Sequence, residues 1–236
     1  MPLTVLAQVQ SDGEMSSVPS VEVTATRDSQ WMSYRKAYYS LQWFEDYRKP
    51  KNLIRLTFQL WPKDQHESTD NVRLELIGEK TKLLIPLEPG SHATIPKLNE
   101  AYQEDAEFQI NRKAGTYFFQ NTGSIKLNDD GLYELVDLRT ACDQLLTMLK
   151  DGSVQYRLKY MEKKCVGVQF AFAKNESTPE VYFKDQQGNL NKLDTFSANE
   201  MKVEIDLKFK FPEKEYSGTL VINTKRLPTM ITGVYE

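Results

Sequence analysis

Short segments in which apolar and polar residues strictly alternate recur along much of this chain. The clearest covers residues 203–211, and similar segments cover residues 54–60, 154–160 and 166–172. Alternation places the apolar side chains on one face of a β-strand and leaves the other face in water. Strands of a parallel sheet are covered on both faces and usually read as continuous apolar runs. The pattern therefore predicts antiparallel sheets with one solvated face rather than a doubly wound parallel sheet.

Turn residues between further short apolar segments predict hairpins. Residues 72–76 and 83–86 are expected to form one hairpin. Residues 216–224 are expected to pair back onto residues 203–211 through the turn that separates them. Strands at such short spacing are typical of an antiparallel sandwich.

We expect an α+β chain that is predominantly antiparallel sheet. A sandwich-like N-terminal unit would be followed by a unit built from a helix and an antiparallel sheet. The expected divisions are a signal-peptide remnant with a flexible lead at residues 1–27, a first domain at 28–128 and a second at 129–236. A break in the alternation near Asn128 sets the boundary between the two domains.

Two segments break the alternation and predict helices. The first begins near Gln30, where Asp28 or Ser29 can cap it, and ends before Pro50. Its aromatic side chains are Trp31, Tyr34, Tyr38, Tyr39, Trp43, Phe44 and Tyr47. A helix packed between a sheet and a second element explains them, since large aromatic residues mostly lie in cores. The alternative is an exposed patch facing a ligand or partner, because one buried face cannot hold so many rings. The candidate patch residues are Trp31, Tyr39, Trp43 and Tyr47.

The second helix has the clearest apolar stripe. Its positions, at spacings of three and four, are Leu135, Leu138, Cys142, Leu145 and Leu149. Residues 128–131 are expected to cap this helix and Gly152 to end it. Because Cys142 lies in the stripe, its sulfur should face the core. We predict a disulfide with Cys165, the other cysteine of the chain, and the alternative is two unrelated buried thiols.

The first residues favour export. Val5-Leu6-Ala7 resembles the end of a signal peptide just ahead of its cleavage site, although no Lys or Arg precedes it. Gln8 would then begin the mature chain, followed by a flexible lead rich in Ser, Gly and Pro. A disulfide also favours an oxidising compartment. We expect a periplasmic or otherwise exported protein, and the alternative is a cytosolic protein with a frayed N-terminus.

Composition and missing motifs exclude several functions. The 236 residues include 30 Lys and Arg against 33 Asp and Glu, so no basic excess indicates nucleic acid. Only two histidines and two cysteines are present, which rules out most dedicated zinc or iron–sulfur frameworks, and we expect no metal site and no cofactor. No apolar run reaches the roughly 18 residues that a transmembrane helix needs. No nucleophile elbow or phosphate-binding glycine motif is present, so no catalytic residue is assigned. His66 and His92 are expected in surface loops.

Two resemblances bear on location. Residues 21–27, VEVTATR, are similar to a segment near the start of many TonB-dependent outer-membrane receptors, over those residues only. The same opening segment resembles uncharacterised exported proteins of Gram-negative bacteria, together with Ser33-Tyr34-Arg35, residues 54–60 and Asp137-Leu138-Arg139. The second resemblance spreads over residues 20–145. It implies an envelope location and supports the fold, but it implies no activity.

We expect a non-catalytic exported binding or interaction protein whose partner is an unknown envelope protein or envelope component. Polar-faced sheets, an aromatic helix and a flexible lead suit a binding scaffold. The alternative is a hydrolase that acts on envelope glycans through an Asp/Glu pair. The sequence holds enough carboxylates for such a pair. Those in or beside polar or turn-like segments are Glu104, Asp105, Asp129, Asp130, Asp194 and Glu200.

Overall fold

The computed structural model describes residues 31–64, 67, 70–113, 115–173, 179–193, 204–212, 217–223 and 225–236. The helices in these residues are α1 (Tyr34–Asp46), α2 (Asn99–Gln103), α3 (Leu135–Lys150) and α4 (Val154–Tyr160). The strands are β1 (Ile54–Pro62), β2 (Leu74–Ile77), β3 (Lys82–Ile85), β4 (Leu87–Glu88), β5 (His92–Ala93), β6 (Glu107–Ile110), β7 (Tyr117–Ile125), β8 (Leu132–Glu134), β9 (Cys165–Ala173), β10 (Val181–Lys184), β11 (Leu190–Lys192), β12 (Glu204–Lys210), β13 (Thr219–Ile222) and β14 (Met230–Tyr235). These strands pair antiparallel, which confirms the predicted α+β class.

A long β1–β7 ladder lies at the centre of the first half of the chain. It begins with Ile54 opposite Ile125 and belongs to a sheet of order β4–β5–β1–β7. The predicted β2–β3 hairpin forms and pairs with β6 in a second sheet. Both sheets and α1 bury a first cluster of apolar side chains. Within it the Phe119 ring lies 4.9 Å from Phe108 and 6.2 Å from Phe58, measured between centroids.

α1 begins later than predicted. Ser33 is its N-cap, and the Ser33 hydroxyl accepts a hydrogen bond of 3.4 Å from the backbone N–H three residues later. Trp31, expected inside the helix, instead forms a backbone bridge with Phe119 of β7. This bridge holds the chain in an extended conformation up to the cap, so the helix cannot start earlier. The predicted caps Asp28 and Ser29 lie outside the described residues.

The second half of the chain packs two sheets around α3. One has the order β12–β9–β14, and the other has the order β11–β10–β13–β8. The predicted stripe of α3 is buried at Leu135, Leu138, Cys142 and Leu145. The sulfur atoms of Cys142 and Cys165 lie at disulfide distance, as the predicted pairing requires, and their Cα atoms are 6.1 Å apart. The pair joins α3 to β9.

The buried side chains of the second half form a second cluster. Besides residues of α3 and the two sheets, this cluster includes Ile54 and Ile125 from the ends of β1 and β7. Phe44 and Tyr47, at the end of α1, pack against it as well. The β1–β7 ladder therefore contributes to both clusters. The division of the chain at residue 128 stays a prediction.

Three local predictions are wrong. Residues 154–160, predicted as a strand, form α4, because Ser153 caps a helix there. β13, predicted to pair with β12, instead lies between β10 and β8 in the other sheet. Residues 128–131 do not cap α3, because β8 separates them from it and Glu134 holds the N-cap position.

Candidate functional site

α1 buries one face and leaves aromatic rings on the other. Tyr34 and Ala37 are fully buried against the first cluster. Tyr39 and Trp43 remain 56% and 42% exposed. Tyr47 follows four residues later at the C-cap position and is half-buried. Because residues four apart adjoin on a helix surface, Tyr39, Trp43 and Tyr47 form one row, which we call the aromatic stripe.

α2 holds the Tyr39 end of the aromatic stripe. The rings of Tyr39 and Tyr102 meet edge-on with centroids 5.6 Å apart, and their hydroxyl groups share a hydrogen bond. That hydrogen bond is the main cause of the raised pKa of Tyr39. The Arg35 guanidinium lies 5.0 Å from the centre of the Tyr102 ring and pairs with Asp105. A cation and an ion pair therefore border this end of the stripe.

The end of α3 holds the other end of the stripe. The rings of Trp43 and Tyr47 are 5.3 Å apart between centroids. The Tyr47 hydroxyl donates a hydrogen bond of 2.8 Å to the carboxylate of Asp151, and the Lys49 ammonium pairs with the same carboxylate at 2.6 Å. Burial raises the pKa of Tyr47, whereas the hydrogen bond from Lys49 lowers the pKa of Asp151. A neutral phenol and an ionised carboxylate thus fix the ring on which Trp43 packs.

Trp31, the fourth residue of the predicted patch, has a different environment. It is half-buried, and its ring packs on Phe119 of the first cluster at 5.5 Å between centroids. The structure therefore brings three of the four predicted residues into one row and gives Trp31 a core contact. Tyr102 is absent from the predicted set because it lies 63 residues from Tyr39. No local spacing connects residues so far apart.

A depression of about 540 Å³ lies beside the end of α1. Its lining residues are Phe44, Pro50, Lys51, Asn52, Ile54, Arg55 and Lys126. The Lys51 ammonium donates to backbone carbonyl groups in the last turn of α1. Arg55 donates to the hydroxyl of Ser124 and to a backbone carbonyl. Two of the three cations are thus engaged by the protein's own groups, which weakens the depression as an anion site.

The structure gives His92 and Glu104 structural settings. His66 lies outside the described residues. The expectation of a surface loop is wrong for His92, because β5 pairs on both sides and leaves this residue 1% exposed. Glu104 accepts hydrogen bonds of 2.8 Å from the backbone N–H groups of Thr81 and Lys80. A hydrogen bond from the Thr81 side chain is the main cause of the lowered pKa of Glu104, and the backbone bonds add to it.

Among the residues that the structure describes, neither of the two depressions holds a pair of carboxylates. Asp194 and Glu200 lie outside the described residues. Asp130 accepts a hydrogen bond of 2.9 Å from the backbone of β8. A second depression, of about 260 Å³, contains the single carboxylate Asp185, which accepts hydrogen bonds within its own turn. Among the described residues, no group of three or more His, Cys, Asp or Glu could hold a metal ion.

Comparisons with protein-family models, with curated proteins and with solved structures found no match. In the part of the chain that the structure describes, no helix is long and apolar enough to span a membrane. The aromatic stripe and its neighbours are the candidate functional surface. This surface combines two exposed rings with hydrogen-bonded supports at both ends.

Proposed function

We propose that this chain is a non-catalytic, exported binding protein that contacts a partner in a Gram-negative envelope through the aromatic stripe. The observation that carries this proposal is the 42% exposure of Trp43 between two rings that hydrogen bonds hold in place. The Cys142–Cys165 pair supports export, because disulfides persist in oxidising compartments such as the periplasm. The partner is an envelope protein or another envelope component.

The stripe has the properties of a binding surface. Exposed Trp and Tyr residues often supply much of the energy at protein interfaces. Rings that are already fixed lose little conformational entropy on binding, so more of the contact energy is retained as affinity. Ion pairs of Arg35 with Asp105 and of Lys49 with Asp151 adjoin the stripe at its two ends. They can form the polar rim that surrounds the apolar centre of a typical interface.

Photo-crosslinking tests this proposal in cells. A photoreactive amino acid replaces Trp43, the protein is expressed with its export signal, and irradiation should give a discrete adduct. Val136 serves as the matched control, because it is 65% exposed in the first turn of α3. The same photoreactive residue at Val136 should give no such adduct. Mass spectrometry of the adduct then identifies the partner.

A second substitution makes the test specific to the stripe. Tyr39→Ala removes the neighbouring exposed ring and should reduce the yield of the adduct from position 43 several-fold. Thr140→Ala, an exposed change on α3, should leave the yield unchanged. Equal yields from positions 43 and 136, or an adduct that is insensitive to Tyr39→Ala, would reject the aromatic stripe as the binding surface.

A further inference from the structure

The outer side of α4 is a second apolar surface. Val154 and Leu158 are each 69% exposed, and Met161, directly after the helix, is 57% exposed. Spacings of four and three residues place all three on one side of the helix. We call them the apolar face of α4. Neighbouring apolar side chains left in water on one element commonly mark a surface that another molecule covers.

The opposite side of α4 is anchored to the protein. The rings of Tyr156 and Tyr160 stack with centroids 6.1 Å apart and planes 9° apart. Tyr160 meets the Tyr235 ring of β14 edge-on at 5.5 Å. After the helix, Lys164 and Glu236 exchange two backbone hydrogen bonds of 2.8 and 3.1 Å. These contacts hold the helix with its apolar face outward, so the exposure is not that of a loose chain end.

The segment that contains α4 is basic, although the whole chain is acidic. Residues 150–164 hold five cationic and two acidic side chains, a net charge of +3, whereas the chain carries −3. The cations are Lys150, Arg157, Lys159, Lys163 and Lys164, and the acids are Asp151 and Glu162. The Asp151 carboxylate is paired with Lys49, and the Lys150 ammonium donates a hydrogen bond to the backbone carbonyl of Lys163, so Arg157, Lys159, Lys163 and Lys164 are the cations that remain. Positive charge beside an apolar helix face is typical of helices that lie in the interface of anionic membranes.

We propose that α4 docks this protein onto an anionic phospholipid surface. The apolar face of α4 enters the boundary between headgroups and acyl chains, and Arg157, which borders this face, contacts a lipid phosphate. A bilayer fits better than a protein groove, because residues 153–164 are exposed at every position except Tyr160. Such a projecting helix suits a deformable surface that needs no matching concavity. This proposal does not depend on a partner at the aromatic stripe.

Vesicle flotation with the purified full chain tests the proposal. Vesicles of phosphatidylglycerol and phosphatidylcholine in equal amounts should bind the protein at least about tenfold more strongly than vesicles of phosphatidylcholine alone, because lipid charge adds to apolar insertion. In about 1 M NaCl the Debye length falls to about 3 Å. Binding to the anionic vesicles should then fall toward binding to the neutral ones.

Single substitutions locate the contact. Leu158→Ser should weaken binding to anionic vesicles by about tenfold, since it removes an apolar side chain that would insert. Val136→Ser removes a side chain of similar exposure, 65%, from the first turn of α3 and should leave binding unchanged. Arg157→Glu should weaken binding and flatten its salt dependence. Leu158→Trp should add a fluorescence component that shifts to the blue with anionic vesicles only.

Because the substituted side chains are exposed, the circular dichroism spectra and thermal midpoints of the variants should match those of the wild type. Wild-type protein that does not bind anionic vesicles, or Leu158→Ser protein that binds them equally well, would overturn the proposal. Self-association that depends on Leu158, without vesicle binding, would assign the face to a protein interface and overturn it equally.

Discussion

Loss of the Cys142–Cys165 cross-link should destabilise the fold by an amount that follows from its loop length. The two residues are 23 apart in sequence, and the chain-entropy relation gives about 3.4 kcal/mol at 25 °C for such a loop. Their Cα separation of 6.1 Å lies in the ordinary disulfide range. Cys165→Ala removes the link but leaves the fully buried Cys142 sulfur in place. The double variant Cys142→Ala, Cys165→Ala also removes that sulfur, and its free energy of unfolding should be about 1 kcal/mol lower than that of Cys165→Ala alone.

Equilibrium unfolding in urea, followed by circular dichroism, measures both steps. In oxidising buffer the Cys165→Ala protein should lose about 3 kcal/mol of unfolding free energy relative to the wild type. A strong reductant should bring the wild type close to this variant, whereas the variant itself should not respond. A loss below about 1 kcal/mol would refute the loop-entropy reasoning. Mass spectrometry after alkylation without reduction gives an independent check, since two alkylated cysteines would contradict the cross-link.

Three further outcomes are expected. Phe119→Ala should cost about 3–5 kcal/mol in urea unfolding, because the ring is fully buried at the centre of the first cluster. Gly131→Ala should lower the free energy of unfolding by at least about 2 kcal/mol more than Gly188→Ala does. Both glycines have positive φ, but of the two only Gly131 has a backbone carbonyl oxygen that a Cβ would overlap. The lowered pKa of Asp151 means that its ionisation stabilises the fold near neutral pH, and that this contribution disappears as the pH falls through the folded-state pKa. NMR titration of the Lys49→Met protein should show that pKa raised toward its ordinary value.

Sequence patterns were sufficient where an element's own residues decide its structure. α3 repeats apolar residues every three or four positions and buries that stripe, so periodicity alone predicts it. α4 shows the opposite case. Residues 154–160 alternate as a strand would, yet Ser153 caps a helix and Tyr160 packs on Tyr235. Alternation over a short exposed segment cannot distinguish the two structures, because tertiary contacts then decide between them.

The candidate site was predictable in its exposed rings but not in their supports. Tyr39 and Trp43 follow from the excess of aromatic residues on one helix. Asp151, which holds Tyr47, lies 104 residues farther along the chain. Tyr102 reaches Tyr39 only because α2 packs beside α1. Such contacts depend on how elements are assembled, and the spacing of residues within one segment does not encode them.

The aromatic stripe and the apolar face of α4 adjoin the same junction. Asp151 binds Tyr47 at the end of the stripe, and α4 begins three residues later at Val154. If α4 holds the protein on a bilayer, this short link would keep the Tyr47 end of the stripe close to the membrane, where a membrane-bound partner would be concentrated. Leu158→Ser should then lower the yield of the photo-adduct from position 43 in intact cells. In detergent extracts, where the bilayer is gone, the yields with and without this substitution should agree. Equal yields in intact cells would show that the two surfaces act independently.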